Sequence, residues 1–241
     1  MKVCEIFKSI EGEGIRMGQA AAFVRLHGCN LRCSYCDSMY AVEGSDFWFM
    51  NVGEILAAVE TYRAESGVKC VTLTGGEPLI HSGVEDLLTA LSEAGFEVNV
   101  ETNGTVPCKW RLPGLFYTMD WKCKSSGMSA QMKMENIATL GENDVLKFVV
   151  GSVEDLQEAE EVVARLSQIS ERSQRSQSQD ARALSSSIVK MPYIFVSPVF
   201  GKLPYEEIVN WMLSSRVMTQ NNARFQVQLH KIVWDPDMRG V

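Results

Sequence analysis

The feature that most constrains this chain is a compact cysteine motif. HGCNLRCSYCDS holds Cys29, Cys33 and Cys36 with the spacing C-x3-C-x2-C, directly after the strand-like run Ala21–His27. Three thiolates this close can fasten three irons of a cubane, since soft iron and soft thiolate suit each other. The fourth iron then lacks a protein ligand and stays open to an exogenous chelate, such as the amino and carboxylate groups of S-adenosylmethionine. Electron-carrying ferredoxins normally supply four cysteines. A closed zinc site also wants four ligands, commonly two cysteine pairs, and here one cluster stands with only His27 nearby.

The remaining cysteines, Cys4, Cys70, Cys108 and Cys123, are scattered. Seven cysteines in 241 residues are too sparse for a secreted disulfide framework, so the four read as small buried hydrophobes. A net charge of -7 argues against a nucleic-acid surface, which needs a basic stripe. No apolar run has the length of a signal peptide or a membrane span, so the expectation is a soluble, cytoplasmic enzyme with no membrane or nucleic-acid partner.

Strand-like and helix-like runs alternate. The predicted strands are Ala21–His27, Cys70–Thr74, Glu97–Glu101, Leu115–Asp120, Val145–Val150, Tyr193–Val196 and Phe225–Leu229. The predicted helices are Asn51–Ser66, Val84–Ala94, Glu154–Leu166 and Tyr205–Ser214. This order implies right-handed crossovers and a parallel sheet. The units are too few for eight strands, so the fold class is α/β, a partial, open (β/α)6-type barrel in a single domain over residues 1–241. Ser167–Ser187, rich in Ser, Gln and Arg, reads as a mobile insertion, with a polar extension of the preceding helix as the alternative.

In barrels the chemistry gathers at the carboxyl ends of the strands. The unusual sequences all fall there: the cysteine loop, Thr74-Gly75-Gly76-Glu77-Pro78, Glu101-Thr102-Asn103-Gly104, Asp120-Trp121-Lys122, Gly151-Ser152, and His230. Two glycines let backbone approach a ligand closely, and Glu77 can accept from an ammonium. Each piece alone has a plainer reading: a β–α turn for TGGEP, an Asx turn for Asn103, a helix cap for Ser152.

Together, the C-x3-C-x2-C loop and TGGEP resemble the radical S-adenosylmethionine superfamily. Four further stretches resemble its 7-carboxy-7-deazaguanine synthase family. They are IEGEG (Ile10–Gly14) with Phe23-Val24-Arg25, CDS (Cys36–Ser38), ETNG, and the tail LHKIVWDPDMRGV ending at Val241. The resemblance spans about Glu5 to Val241, leaving out the Ser/Gln-rich stretch. It implies a 4Fe–4S cluster on the three cysteines, S-adenosylmethionine and magnesium. The implied reaction converts 6-carboxy-5,6,7,8-tetrahydropterin to 7-carboxy-7-deazaguanine and ammonia by hydrogen abstraction at carbon 6 and ring contraction. No side chain is implied as acid or base, because a 5′-deoxyadenosyl radical is the reactive species.

The resemblance also implies site residues. Tyr35, Asp37, Gly76, Glu77, Glu101, Asn103, Lys122 and Ser152 would meet the cofactor, and Ser38 the magnesium. Ile10, Glu11, Gly12, Glu13, Arg25, Thr74, His230 and the terminal carboxylate of Val241 would meet the substrate. Arg25 suits a carboxylate through two parallel N–H bonds, a surface salt bridge being its plainer reading; for His230 the plainer reading is a satisfied core histidine. The chain departs from the family at Ser38, where many members carry Thr, at Glu11, where relatives often have Gln, and at Asp120-Trp121-Lys122, where many have Ser-Pro-Lys. An electron donor such as flavodoxin or ferredoxin and a homodimer are further expectations. The competing readings are a glycyl-radical-enzyme activating enzyme and a non-catalytic iron–sulfur or zinc module.

Overall fold

The structure, a computed structural model, describes residues 1–179 and 189–241. A nine-stranded sheet runs β3-β1-β2-β4-β5-β6-β7-β8-β9. Its strands are β1 (Lys2–Ile10), β2 (Ala20–Leu26), β3 (Trp48–Phe49), β4 (Cys70–Gly75), β5 (Glu97–Thr102), β6 (Leu115–Trp121), β7 (Val145–Val150), β8 (Tyr193–Pro198) and β9 (Arg224–Phe225). From β2 through β9 every neighbouring pair is parallel. Strands buried on both faces read as apolar runs, and VLKFVV and CVTLT do. The helices are α1 (Met39–Glu43), α2 (Val52–Ser66), α3 (Val84–Glu93), α4 (Met134–Ile137), α5 (Val153–Gln179), α6 (Tyr205–Ser214), α7 (Arg216–Gln220) and α8 (His230–Val233). The expected open (β/α)6-type architecture is present, six parallel strands (β2, β4–β8) followed by the two-residue β9.

Local signals explain the helix ends. Asn51 caps α2 by accepting from the Glu54 N–H, while the Glu54 side chain accepts from the Asn51 N–H, a reciprocal capping box. Gly67 ends the helix in the left-handed region at φ 72°. Ile55 and Val59 on its inner face are fully buried. The four scattered cysteines are buried and free, as their spacing suggested.

The structure adds one strand to those expected and shortens the last of them. The N-terminal segment is a strand: β1 pairs antiparallel with β2 and carries the two-residue edge strand β3. The predicted last strand Phe225–Leu229 shrinks to β9: Gln226 N still donates to Val196 O at 2.9 Å, while its side chain ties to the N-terminal loop, accepting from Gly14 N (2.9 Å) and donating to Gly14 O (3.2 Å). His230 consequently opens α8 rather than ending a strand. Finally, α5 runs on through Gln179, so the first part of the Ser/Gln-rich stretch follows the alternative reading, an extension of the preceding helix. Ser170 is buried there and donates to Val189 O, and Ser173 Oγ accepts from Val189 N. The rest of the expected mobile insertion, 180–187, lies outside the described residues.

The loop after β1 is pinned under the sheet. Glu11, 1% exposed, accepts from Arg16 Nη2 at 2.9 Å and from the Thr72 hydroxyl. Burial, reinforced by the Glu101 carboxylate, pushes the Glu11 carboxyl from an ordinary 4.5 up to about 7, against the pull of Arg16 and Thr72.

Two outcomes follow. Asn51→Ala should cost about 1 kcal/mol, lowering Tm by about 2–4 °C for a chain of this length; an unchanged thermal melt would contradict the capping role. A carboxyl whose folded pKa is raised stabilises the fold fully below its unfolded pKa, and that contribution is lost as pH rises through the folded value. Wild-type stability relative to Glu11→Gln should therefore decline between about pH 4.5 and 7. Parallel Tm-versus-pH curves for the two proteins would contradict it.

Candidate active site

The carboxyl ends of β2, β4, β5, β6 and β7 open into one cavity of about 720 Å³, closed from the other side by the IEGEG loop and the C-terminal segment. Its walls contain every residue nominated from the sequence except Glu77 and Ser152. Ser152 instead caps α5, its hydroxyl accepting from the Asp155 N–H at 3.4 Å. Glu77 turns inward from the glycine turn. Its fully buried carboxylate accepts from Leu79 N (2.9 Å), Thr102 Oγ1 (2.8 Å) and Asn103 N (2.6 Å), so it clamps the end of β4 to the turn after β5. Burial still pushes this carboxyl above its ordinary range.

The cysteine loop is held from three sides. Gly76 packs against Gly28 and Cys29 so closely that a Cβ there would collide with the Gly28 carbonyl and crowd the Cys29 Cβ. Glu77 N donates to Gly28 O at 2.8 Å. Ser34 donates through its N–H to Ser126 O (2.9 Å) and through its hydroxyl to Ser125 O (2.6 Å). Tyr35 reaches across to donate to Val149 O at 3.2 Å. Cys29, Cys33 and Cys36 are free and half-buried on the cavity wall, and burial pushes the Cys33 and Cys36 thiols up. Protonated thiols in such a place give up their protons to a metal. The donor set fits an iron–sulfur cubane with one open iron: three soft ligands on one loop and, among the described residues, no fourth cysteine in the cavity wall. His27, the extra ligand a zinc site would need, is turned away and donates from Nε2 to Gly44 O.

The opposite wall is ionic. Lys147 Nζ sits 2.9 Å from Glu13 Oε2 and 3.2 Å from Asp120 Oδ1, and Lys122 Nζ sits 2.9 Å from Asp120 Oδ2. Burial opposes charge on both lysines, but Asp120 and, for Lys147, Glu13 hold them charged well above the ordinary range. Among the described residues Glu13 Oε1 is buried without a hydrogen-bond partner, and Glu13 lies on the cavity wall. Thr74 donates to Glu101 Oε2 at 2.7 Å. Arg25 is gripped through Nε by Glu5 Oε1 at 2.6 Å, and Tyr40 donates to the same oxygen at 2.6 Å. Its salt bridge is thus real but mostly buried, and among the described residues its two terminal nitrogens make no other hydrogen bond.

The C-terminal segment completes the cage. Leu229 N donates to Gly12 O at 3.0 Å, and the His230 ring lies so close over Gly12 that no Cβ could fit there. Burial holds the imidazole below its ordinary range, hence neutral near pH 7. Lys231 pairs with Asp37 at 3.0 Å, and the Arg239 guanidinium stacks 3.7 Å from the Tyr40 ring centre. Ser38 donates to Asp37 Oδ1 at 3.0 Å and offers a hard hydroxyl oxygen to the cavity, a donor that suits magnesium.

Sequence reasoning missed Lys147, Glu5, Tyr40 and Arg239. Lys147 had a signal: it interrupts an otherwise apolar strand, and a lysine is rarely buried unless paired. A second cluster, Cys123 with Asp155 and Glu158, has metal-ligating residue types, yet its carboxylates are already satisfied. Asp155 takes Ser125 and Gly151, and Glu158 takes Trp121 Nε1, Ser129 and Lys124 N. It staples the loop after β6 to α5.

Comparison with known proteins agrees with this geometry. Residues 23–111 match the Radical SAM superfamily. The 7-carboxy-7-deazaguanine synthase of Clostridium acetobutylicum is 39% identical over 245 residues, covering 100% of this chain and 99% of that protein. The Methanospirillum hungatei enzyme of the same name is 37% identical, covering 98% of this chain and 86% of its own. In fold, the chain is similar to the crystal structure of QueE from Escherichia coli, with a TM-score of 0.68, 22% identity, and 94% and 93% of the two chains covered. It is also similar to Streptococcus suis SuiB bound to S-adenosylmethionine, with a TM-score of 0.55, 14% identity, and 85% and 51% covered. With three free thiols, a glycine turn and a caged polar cavity at the strand ends, and with full-length relatives of one name, the chain belongs to the 7-carboxy-7-deazaguanine synthase family.

Proposed function

We propose that this chain converts 6-carboxy-5,6,7,8-tetrahydropterin to 7-carboxy-7-deazaguanine and ammonia, as a radical S-adenosylmethionine lyase. The observation that carries the reading is that one cavity holds both three cluster-type thiols and a facing cage of paired charges. When bound, the cluster and S-adenosylmethionine supply hydrogen-atom abstraction, and magnesium supplies a hard Lewis acid.

The chain's own residues bind, orient and exclude water. Cys29, Cys33 and Cys36 would hold the cluster. Gly76, Glu101, Asn103 and Lys122, with Tyr35 and Asp37, would surround S-adenosylmethionine, Glu77 and Ser152 acting at one remove through the backbone. Ser38 would offer its hydroxyl to magnesium. Glu13, on the cavity wall, would accept from the amino N–H edge of the pterin. Ile10, Glu11 and Gly12 would line that edge, with Thr74 between cofactor and substrate. Arg25, its Nε fixed by Glu5, would present its terminal nitrogens to the pterin carboxylate. Neutral His230 and the Val241 carboxylate would close the far side.

An activating enzyme for a protein radical would give no role to this small-molecule cage, and a non-catalytic module would not need one. Among the described residues no helix is long and apolar enough to cross a membrane, which agrees with a cytoplasmic setting. We also infer one radical SAM domain over residues 1–241, a flavodoxin or ferredoxin as electron donor, and a homodimer.

Single changes of Cys29, Cys33 or Cys36 to Ala should abolish the brown iron–sulfur absorbance and all cleavage of S-adenosylmethionine; full activity in any one refutes the cluster assignment. The substrate is tested at Arg25. Arg25→Lys keeps charge but loses the paired N–H geometry. At about 1.5–3 kcal/mol for a charge-assisted bond, kcat/KM for the carboxypterin should drop about ten- to a hundredfold, with iron content unchanged. Arg25→Ala should be worse. Wild-type kcat/KM in Arg25→Ala removes Arg25 from the substrate site.

A further inference from the structure

Of the three cluster thiols, Cys29 differs from the others in what surrounds its sulfur. Leu31 N–H points at Cys29 Sγ at 3.4 Å, and Asn103 Nδ2 points at it at 3.5 Å. Among the described residues it is the only one of the three whose sulfur receives a side-chain N–H.

The orientation of the Asn103 amide is not free. Its Oδ1 accepts from the Thr105 backbone N–H (3.0 Å), which can only donate, and from the Thr105 hydroxyl (2.7 Å). A flipped amide would set two donors against each other. The Nδ2 hydrogens are thereby directed to Asn30 Oδ1 (3.0 Å) and to Cys29 Sγ. Asn30 closes the ring by donating to Thr105 Oγ1 at 2.9 Å. The main chain of Asn103 is clamped in turn by Glu77, and Gly76 fixes the Cys29 Cβ from below. Donor and acceptor are thus each held by neighbouring groups of the chain: Thr105, Asn30 and Glu77 for the amide, and Gly76 for the cysteine.

We propose that Asn103 is a positioning residue that tunes the iron–sulfur cluster through Cys29, raising its reduction potential. A reduced cluster carries one more negative charge, spread partly over its sulfurs. An N–H aimed at a ligand sulfur stabilises that form more than the oxidised one, and hydrogen bonds to sulfur are among the groups that set such potentials. The inference rests on the cluster assignment to Cys29 and is independent of the substrate. It gives Glu77 and the ETNG turn a task beyond contacting a ligand: they aim a hydrogen bond at the cluster.

The test is a redox titration of reconstituted full-length protein, followed by electron paramagnetic resonance, without S-adenosylmethionine or pterin. Asn103→Leu removes the donor. Asn103→Asp keeps an oxygen for Thr105 but replaces the donor with a carboxylate. With wild-type iron and sulfide content, the reduction equilibrium should move about tenfold toward the oxidised cluster in Asn103→Leu, about 59 mV for one electron. It should move at least as far in Asn103→Asp. An unchanged potential in either loaded variant overturns the proposal. So does failure of both to hold a cluster, which would make Asn103 a structural residue of the loop. A wild-type protein that takes up no iron and sulfide would instead sink the cluster reading itself, a result visible before any variant is titrated.

Discussion

The site depends on one buried carboxylate. Glu77 has no exposure and satisfies three donors, two of them backbone N–H groups in different segments. Parallel strands are joined by long crossovers, so nothing in the chain's local geometry fixes the end of β4 relative to the turn after β5. Glu77 does. Its clamp sets Gly76 against Cys29 and Asn103 beside the Cys29 sulfur. Removing one partner of a buried charge is far more damaging than removing a surface pair, so a side chain that touches no ligand can govern the whole cofactor half of the cavity.

The substrate half follows a related logic with ions in place of a clamp. Arg25 is aimed by Glu5, which Tyr40 also supports, and Arg239 lies on the Tyr40 ring. Lys147 sits between Glu13 and Asp120, and Lys122 shares Asp120. The side chains available to a ligand are oriented before it arrives, by groups behind them. Preorganised charges need little rearrangement on binding. The tail takes part through Lys231 on Asp37 and His230 over Gly12, so the C-terminal segment is tied to both the cysteine loop and the IEGEG loop.

Most of this was legible in the sequence, because parallel strands are apolar runs and the barrel plan puts their exits in one place. Cys29, Cys33, Cys36, Thr74, Glu101, Asn103, Lys122 and Arg25 all come to the cavity from strand ends read off the chain. What was not legible has physical causes. The β1 sequence KVCEIFKSI alternates poorly because the strand lies near a sheet edge and is only half-buried. The Ser/Gln-rich stretch has few large apolar residues, yet Gln, Glu and Arg are good helix formers, and Ser170 and Ser173 gain partners at Val189, so its first part continues the helix as the alternative reading had it. Glu77 was expected to face a ligand; the direction of a side chain in a turn depends on donors contributed by distant segments, here Thr102 and Asn103. The tie between Gln226 and Gly14, more than two hundred residues apart in sequence, likewise forms only in the folded chain.

The central claim is that one cavity joins cluster chemistry to a carboxypterin. Its most direct measurement is an anaerobic reaction of the iron–sulfur-loaded protein with reductant, S-adenosylmethionine, magnesium and 6-carboxy-5,6,7,8-tetrahydropterin, followed by product analysis. The account predicts that the pterin disappears with equal yields of ammonia and 7-carboxy-7-deazaguanine, while S-adenosylmethionine is not consumed in proportion. Cleavage of S-adenosylmethionine to 5′-deoxyadenosine with the pterin left intact would contradict it.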